Sequence, residues 1–280
     1  MTTGDIRIEP AAGALGAVVT GVDLAAELSN SAAATIRDAL IAHQVIFIRD
    51  QNLDGPGLVR IAEMLGEPNV YPFVEGLDNA PEIFEILKTE QDEHNFGGSW
   101  HSDSTYLNEP PSFTMLYAKE VPSIGGDTLY ADTYKAYESL SPGMQEIVSG
   151  LNGVNSAALS GVGGRAKITK QNSEMTQANM ADADSMEAVH PIAPEHPDTG
   201  RRALYLNRAH TVRFDGMTED ESKPLINYLT EQAVRPDFTC RMQWQVGTLG
   251  IWDNRCTQHY ALNDYPGERR RMWRTTVRSH

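Results

Sequence analysis

The stretch Trp100-His101-Ser102-Asp103-Ser104-Thr105 constrains this chain more than any other. Side chains alternate faces along extended backbone, so an imidazole and a carboxylate two residues apart point the same way if the segment is extended. Two ligands on one face are half of a metal site. A chain that uses them must fold so that a distant residue completes the set, whereas a solvated His-x-Asp pair needs nothing further. By itself the motif has low specificity, and the rest of the chain decides what it is worth.

The surrounding pattern is one of many short elements. Ile6-Arg7-Ile8 alternates and runs into Gly13, Gly16 and Gly21, as a short strand and turns would. Ser29 or Asn30 can cap a helix through Ile36, Leu40 and Ile41, and a second helix through Leu58, Ile61, Ala62 and Leu65 stops at Gly66. Between them Val45-Ile46-Phe47-Ile48 reads as a buried strand. Further strands are predicted at 83–87, 113–117 and 128–130, followed by a helix through Tyr134, Tyr137 and Leu140. The segments 188–192 and 203–206 read as two strands joined by a short loop. Thr218 or Glu219 then starts a helix ending near Pro236, and the chain returns to β at 239–245, 247–252 and 272–277. The fold class this predicts is mainly β with flanking helices, a sandwich or jelly roll, as one domain over 1–280. From about Ser156 to Ser185 the apolar periodicity gives way to Ser, Gly, Ala, Asn and Met, a loop long enough to serve as a lid.

Composition narrows the partners. The 280 residues carry 23 Lys plus Arg against 38 Asp plus Glu, a formal charge of -15, which opposes nucleic acid and anionic membranes. An anionic small molecule would need locally placed arginines to overcome that field. Two cysteines, Cys240 and Cys256, make neither a disulfide framework nor a zinc pattern. The amino terminus lacks the basic and apolar run of a signal peptide and no segment has the apolar length of a membrane span, so a cytoplasmic location is expected.

The missing imidazole comes late in the chain. In Gly250-Ile251-Trp252-Asp253-Asn254-Arg255-Cys256-Thr257-Gln258-His259-Tyr260, an apolar strand enters a polar turn and His259 lies where the chain returns. His101, Asp103 and His259 together are what a facial triad of two His and one carboxylate needs, a set that leaves open positions on a non-haem Fe(II). Downstream, Arg270, Met272, Arg274 and Thr276 share one face of a predicted strand. Two guanidiniums on one face suit two anions, because Arg forks onto carboxylate or sulfonate oxygens. His190 reads as satisfying a backbone group between strands, and His196 has no motif role.

These segments resemble, over nearly the whole chain, the taurine/2,4-dichlorophenoxyacetate dioxygenase family of Fe(II)- and 2-oxoglutarate-dependent oxygenases. The matching pieces are His-Gln-Val-Ile-Phe-Ile-Arg-Asp-Gln at 43–51, Trp-His-x-Asp at 100–103, Gly-Gly-Asp-Thr-Leu at 125–129, Ile-Trp-Asp-Asn-Arg-x-Thr-Gln-His-Tyr at 251–260 and Arg-Arg-x-Met-x-Arg at 269–274. The resemblance implies a double-stranded β-helix core, with Fe(II) held by His101, Asp103 and His259. It implies that Arg270 and Thr128 bind the distal carboxylate of the co-substrate 2-oxoglutarate, and that Arg274 lies near its C1 carboxylate and near an anionic substrate. O2 is the oxidant, succinate and CO2 are products, and a C–H bond is hydroxylated. A hydroxyl placed next to a heteroatom would lead to cleavage. The family is commonly dimeric or tetrameric, so a homo-oligomer is expected.

The resemblance departs from the taurine enzymes where they grip their substrate. Gly66-Glu67 leads to Tyr71 in place of a sulfonate-binding His, Gly97 stands for an Asn, and His210 takes the place of a pocket Phe. A small or medium anionic substrate contacting Tyr71, His210 and Arg274 is therefore expected, and taurine itself is disfavoured. Two other readings of the same residues stay open: a facial-triad oxygenase or isomerase that does not use 2-oxoglutarate, and a jelly-roll binding module without catalysis.

Overall fold

In the computed structural model, which describes residues 6–159 and 185–279, the β-branched run Val45–Ile48 forms strand β3 with all four residues buried. Val45 and Phe47 pack into one apolar cluster and Ile46 and Ile48 into another, because successive side chains leave a strand on opposite faces. β3 therefore belongs to a sheet covered on both sides. That sheet adds β1 (Arg7–Pro10), β2 (Ala17–Thr20), β13 (Leu249–Asp253), β7 (Phe113–Glu120), β15 (Arg270–Arg278), β6 (Ala80–Lys88) and β5 (Gly76–Leu77), in the order β1-β2-β3-β13-β7-β15-β6-β5, with β4 (Glu67–Asn69) paired to β15. Every pairing is antiparallel except β2 with β3.

Two helices cover the outer face. Helix α1 (Asn30–His43) starts at Ser29, whose side chain accepts from the Ala32 N–H, and ends at Gln44 in the left-handed region. Helix α2 (Gly55–Glu63) is capped by Asp54 and has Pro at its first turn. Ile36, Leu40, Leu58, Ile61 and Ala62 of these helices pack on Ile46, Ile48, Met115, Tyr117, Leu249 and Ile251 of the sheet. The inner face meets a second sheet, β12 (Thr239–Met242), β8 (Thr128–Asp132) and β14 (Thr257–Ala261), in the order β12-β8-β14. Phe47, Phe84, Ile86, Leu116, Tyr130, Met242, Trp252 and Met272 fill the space between the sheets. This is the jelly-roll arrangement expected, and the site lies in that space.

A third sheet, β9 (Asn152–Ser156) between β10 (Glu187–Pro191) and β11 (Thr211–Phe214), packs with α3 (Thr133–Glu138), α4 (Pro142–Ser149) and α5 (Glu219–Ala233). The α5 start is a capping box, with Thr218 and Glu221 exchanging hydrogen bonds. One expectation fails here: residues 203–206 form no strand. Ala203 and Leu204 are buried, but their backbone is tied piecemeal, Leu204 N–H donating to Thr133 C=O and Tyr205 N–H to Ile192 C=O. An apolar run of four cannot by itself distinguish a strand from a buried crossing segment. The expected lid at 156–185 lies, apart from its ends, outside the described residues. No helix among the described residues is long and apolar enough to cross a membrane.

The helix expected to stop at Gly66 ends slightly earlier, capped at Met64. Gly66 has a different importance. Its φ is +155° and a Cβ there would lie 1.8 Å from the Arg278 carbonyl oxygen, where β4 joins β15. Gly66→Ala must push backbone against backbone, and we expect a loss of about 3 kcal/mol, seen as a thermal midpoint lower by several degrees.

Candidate active site

The first two metal-ligating candidates are brought together by the backbone. His101 and His259 form an isolated antiparallel bridge, each N–H donating to the other's carbonyl at 3.1 and 2.8 Å. Residues exchanging both bonds are directly opposite and send their side chains to one face, and the two imidazole centroids are 4.1 Å apart. The extended conformation assumed for His-x-Asp reaches no further than Ser102. A turn begins at Asp103, and Ser104 has φ 51°. That turn swings the carboxylate back over the rings: Asp103 Oδ1 lies 3.5 Å from His101 Nε2 and 3.7 Å from His259 Nε2. The three ligand atoms lie within 4.8 Å of one another, and all three residues are buried.

Neighbouring groups prepare this set. His101 Nδ1 is 2.7 Å from the Ser99 carbonyl oxygen; a carbonyl can only accept, so Nδ1 carries a proton and Nε2 is the ring atom turned toward Asp103. Asp103 Oδ2 accepts from the Thr114 hydroxyl at 2.7 Å. Thr114 accepts from the Asn254 amide at 2.8 Å, and Asn254 Oδ1 accepts from the Trp252 indole at 3.0 Å. Sequence reasoning assigned none of these supporting residues. Thr114 carried a signal, as the hydroxyl within the apolar run of β7 on the alternation that faces the inner sheet. Burial pushes the Asp103 carboxyl up, but the Arg274 guanidinium, then His259 and His101, hold it well below the usual carboxylate range. Arg274 Nη2 is 2.5 Å from Asp103 Oδ1. The structure therefore places Arg274 against the carboxylate that the sequence assigned to metal.

Arg270 and Thr128 sit in the same inter-sheet space. Arg270 is buried, its Nε and Nη2 have no hydrogen-bond partner among the described residues, and burial draws its pKa below the ordinary value. Its Cζ lies 5.9 Å from the Trp244 ring. The Trp244 indole in turn donates to Thr128 Oγ1 at 2.9 Å. With that lone pair used, the Thr128 hydroxyl proton is left to donate to a second group. Gly126 lets the preceding turn pass close by: its φ is +70°, and a Cβ there would touch Arg270 Cδ at 3.3 Å. Trp244 was another residue that the sequence did not single out.

Tyr71 and His210 make different contacts. Tyr71 stacks on Phe84 with centroids 4.5 Å apart, and Phe84 lies 5.7 Å from the Arg274 guanidinium carbon. His210 Nδ1 is 3.0 Å from Thr105 Oγ1, in a buried network with Asn155 and Asn207, and its ring centroid is 6.2 Å from that of His101. His190 Nε2 is 2.9 Å from the Leu107 carbonyl, the backbone-satisfying role expected of it. His196 proves to be a buried partner of Asp253, its Nε2 3.0 Å from Asp253 Oδ2. With Cys256 these make a second group of ligand-type atoms. Asp253, however, already accepts from Arg255 at 2.8 and 2.6 Å, and burial raises the Cys256 thiol well above its ordinary pKa. That cluster is a satisfied Arg255–Asp253 ion pair beside a protonated thiol.

Comparison with known proteins agrees with this geometry. The family described as taurine catabolism dioxygenase TauD, TfdA family, matches residues 7–276. The chain is 34% identical over 276 residues to an alkylsulfatase of Acinetobacter baylyi, covering 98% of this chain and 86% of that protein. It is 33% identical over 280 residues to an alpha-ketoglutarate-dependent sulfate ester dioxygenase of Pseudomonas putida, covering 98% and 89%. A crystal structure of a taurine dioxygenase from Burkholderia xenovorans superposes with a TM-score of 0.82 at 32% identity, over 98% of this chain and 91% of that one. On the fold, the convergent His-Asp-His set and these similarities, the chain belongs to the taurine catabolism dioxygenase TauD/TfdA family, as an α-ketoglutarate-dependent dioxygenase.

Proposed function

We propose that this enzyme uses Fe(II), 2-oxoglutarate and O2 to hydroxylate the carbon next to the heteroatom of a small or medium organic sulfate ester or sulfonate. The observation that carries the reading is the juxtaposition in one inter-sheet space of a buried His-Asp-His set and a buried guanidinium whose Nε and Nη2 have no partner among the described residues. The donors fit the metal: two imidazoles and one ionised carboxylate are the ligand types of a facial Fe(II) site. When bound, iron and 2-oxoglutarate supply the oxidising chemistry, with succinate and CO2 as products.

The chain's own groups position the reactants. His101, Asp103 and His259 hold the ion, and the Thr114 hydroxyl fixes which carboxylate oxygen is turned away from it. Arg270 and Thr128 hold the distal carboxylate of the co-substrate. Arg274 lies between Asp103 and the Phe84–Tyr71 stack, where its remaining N–H groups can meet the C1 carboxylate and the substrate anion. Tyr71 and His210 shape the pocket for the organic part. Sulfate esters rank first because the two relatives above bear that activity in their names and because Tyr71 supplants the taurine-type His. Hydroxylation of the carbon bearing the ester oxygen gives an adduct whose C–O bond breaks, the carbon leaving as aldehyde and the sulfate as its anion. Incubation with alkyl sulfates, alkanesulfonates and carboxylates should give substrate-dependent succinate, with aldehyde and inorganic sulfate in equal amounts from the esters. Turnover confined to neutral or cationic compounds would overturn the assignment.

A further inference from the structure

Strands β6 and β15 run antiparallel with Lys88 opposite Arg270, Ile86 opposite Met272 and Phe84 opposite Arg274. Directly opposed residues share a face, and this face looks into the space between the sheets, since Phe84, Ile86 and Met272 belong to the inner cluster. Lys88 thus stands in the same row as Arg270. It is 2% exposed, and its Nζ has no hydrogen-bond partner among the described residues. The contact it makes is with the Tyr265 ring, 4.5 Å from Nζ to the centroid. Arg270 opposite it is 4% exposed and leaves Nε and Nη2 unpartnered among the described residues.

Two basic side chains stand on directly opposed strand positions facing an apolar cluster, and among the described residues neither has gained a salt-bridged carboxylate in return for the water it gave up. The nearby Asp127 compensates little, because its Oδ2 is held by Arg241 at 2.5 Å. An apolar residue at position 88 would pack there at less cost. The pair makes sense as the complement of an anion, whose carboxylate has about four lone-pair directions to fill: Arg270 supplies a planar fork, Thr128 a hydroxyl and Lys88 a compact charge with three donors.

We propose that Lys88 is a second cation binding the distal carboxylate of 2-oxoglutarate, opposing Arg270 from the neighbouring strand. The inference rests on reading this pocket as the co-substrate site. It is tested by titrating the anaerobic Fe(II)-loaded protein with 2-oxoglutarate and with 2-oxovalerate, which keeps the keto acid end and lacks the distal carboxylate. Binding is read by calorimetry and by the metal-to-ligand absorption band. Lys88→Met should weaken 2-oxoglutarate binding on the order of 30-fold and leave 2-oxovalerate unaffected. The ligand-free thermal midpoint should not fall, and Lys88→Arg should recover most of the affinity. Unchanged 2-oxoglutarate binding by Lys88→Met, or an equal loss for both ligands, overturns the assignment. If the Met variant does not fold, Lys88→Gln decides by the same two ligands. An intact protein that binds no 2-oxoglutarate overturns the co-substrate reading itself, whereas intact binding with an unaffected variant overturns the role of Lys88 alone.

Discussion

Asp103→Ala should reduce substrate-dependent succinate formation to roughly one part in a thousand or less, because several kcal/mol of metal-centred stabilisation correspond to about three factors of ten in rate. The carboxylate is the atom group on which both imidazoles converge, at 3.5 and 3.7 Å, and its loss would leave only two ligands for the proposed ion. The variant also strands Arg274, which loses its partner at 2.5 Å, so stability is measured alongside. Asp103→Asn keeps the volume and separates the two effects: metal affinity should still drop sharply, while the thermal midpoint changes less than in Asp103→Ala. A chelator should reproduce the loss in the unmodified protein, and added Fe(II) should reverse it. A chelator-resistant activity, or an Asp103→Ala variant retaining a tenth of its turnover, would be incompatible with a metal at this site.

Arg270→Met carries the second large effect, and here function and stability should move in opposite directions. Arg270 is buried with Nε and Nη2 unpartnered among the described residues, so the ligand-free protein recovers little of its desolvation cost. Replacement by an apolar side chain of similar length should leave the thermal midpoint unchanged or higher. Binding of 2-oxoglutarate should weaken by roughly 10²- to 10³-fold, because truncating one partner of a buried ion pair costs about 2–5 kcal/mol. Calorimetric titration of the anaerobic Fe(II) protein measures the second effect and thermal melts the first. A variant that melts early and binds the co-substrate normally would make Arg270 an ordinary core residue.

How much of this was legible beforehand differs residue by residue. The buried strand Val45–Ile48 followed from its β-branched and aromatic composition, and the inward row of Arg270, Met272 and Arg274 from period-two alternation. Capping chemistry narrowed the two helix starts to Ser29 or Asn30 and to Thr218 or Glu219, and the caps form at Ser29 and Thr218. The strand expected at 203–206 did not form, since a short apolar run carries no period. The β9–β10–β11 sheet was legible only in part, because Asn152–Ser156 is polar and glycine-containing and is held by its neighbours rather than by propensity.

Within the site, the sequence by itself determined which side chains could ligate a metal or bind an anion, because imidazole, carboxylate and guanidinium chemistry is intrinsic to the residue. It also determined the strand parity that groups Arg270 with Arg274. Only the tertiary structure decided that Asp103 reaches the imidazoles through a turn at Ser104, that Thr114, Asn254 and Trp244 orient the site, and that Lys88 stands beside Arg270. Those facts are relations between strands distant in the chain, set by register and by closure of two sheets on one core. Local patterning records the face that a side chain takes, and folding alone selects the neighbour it meets there.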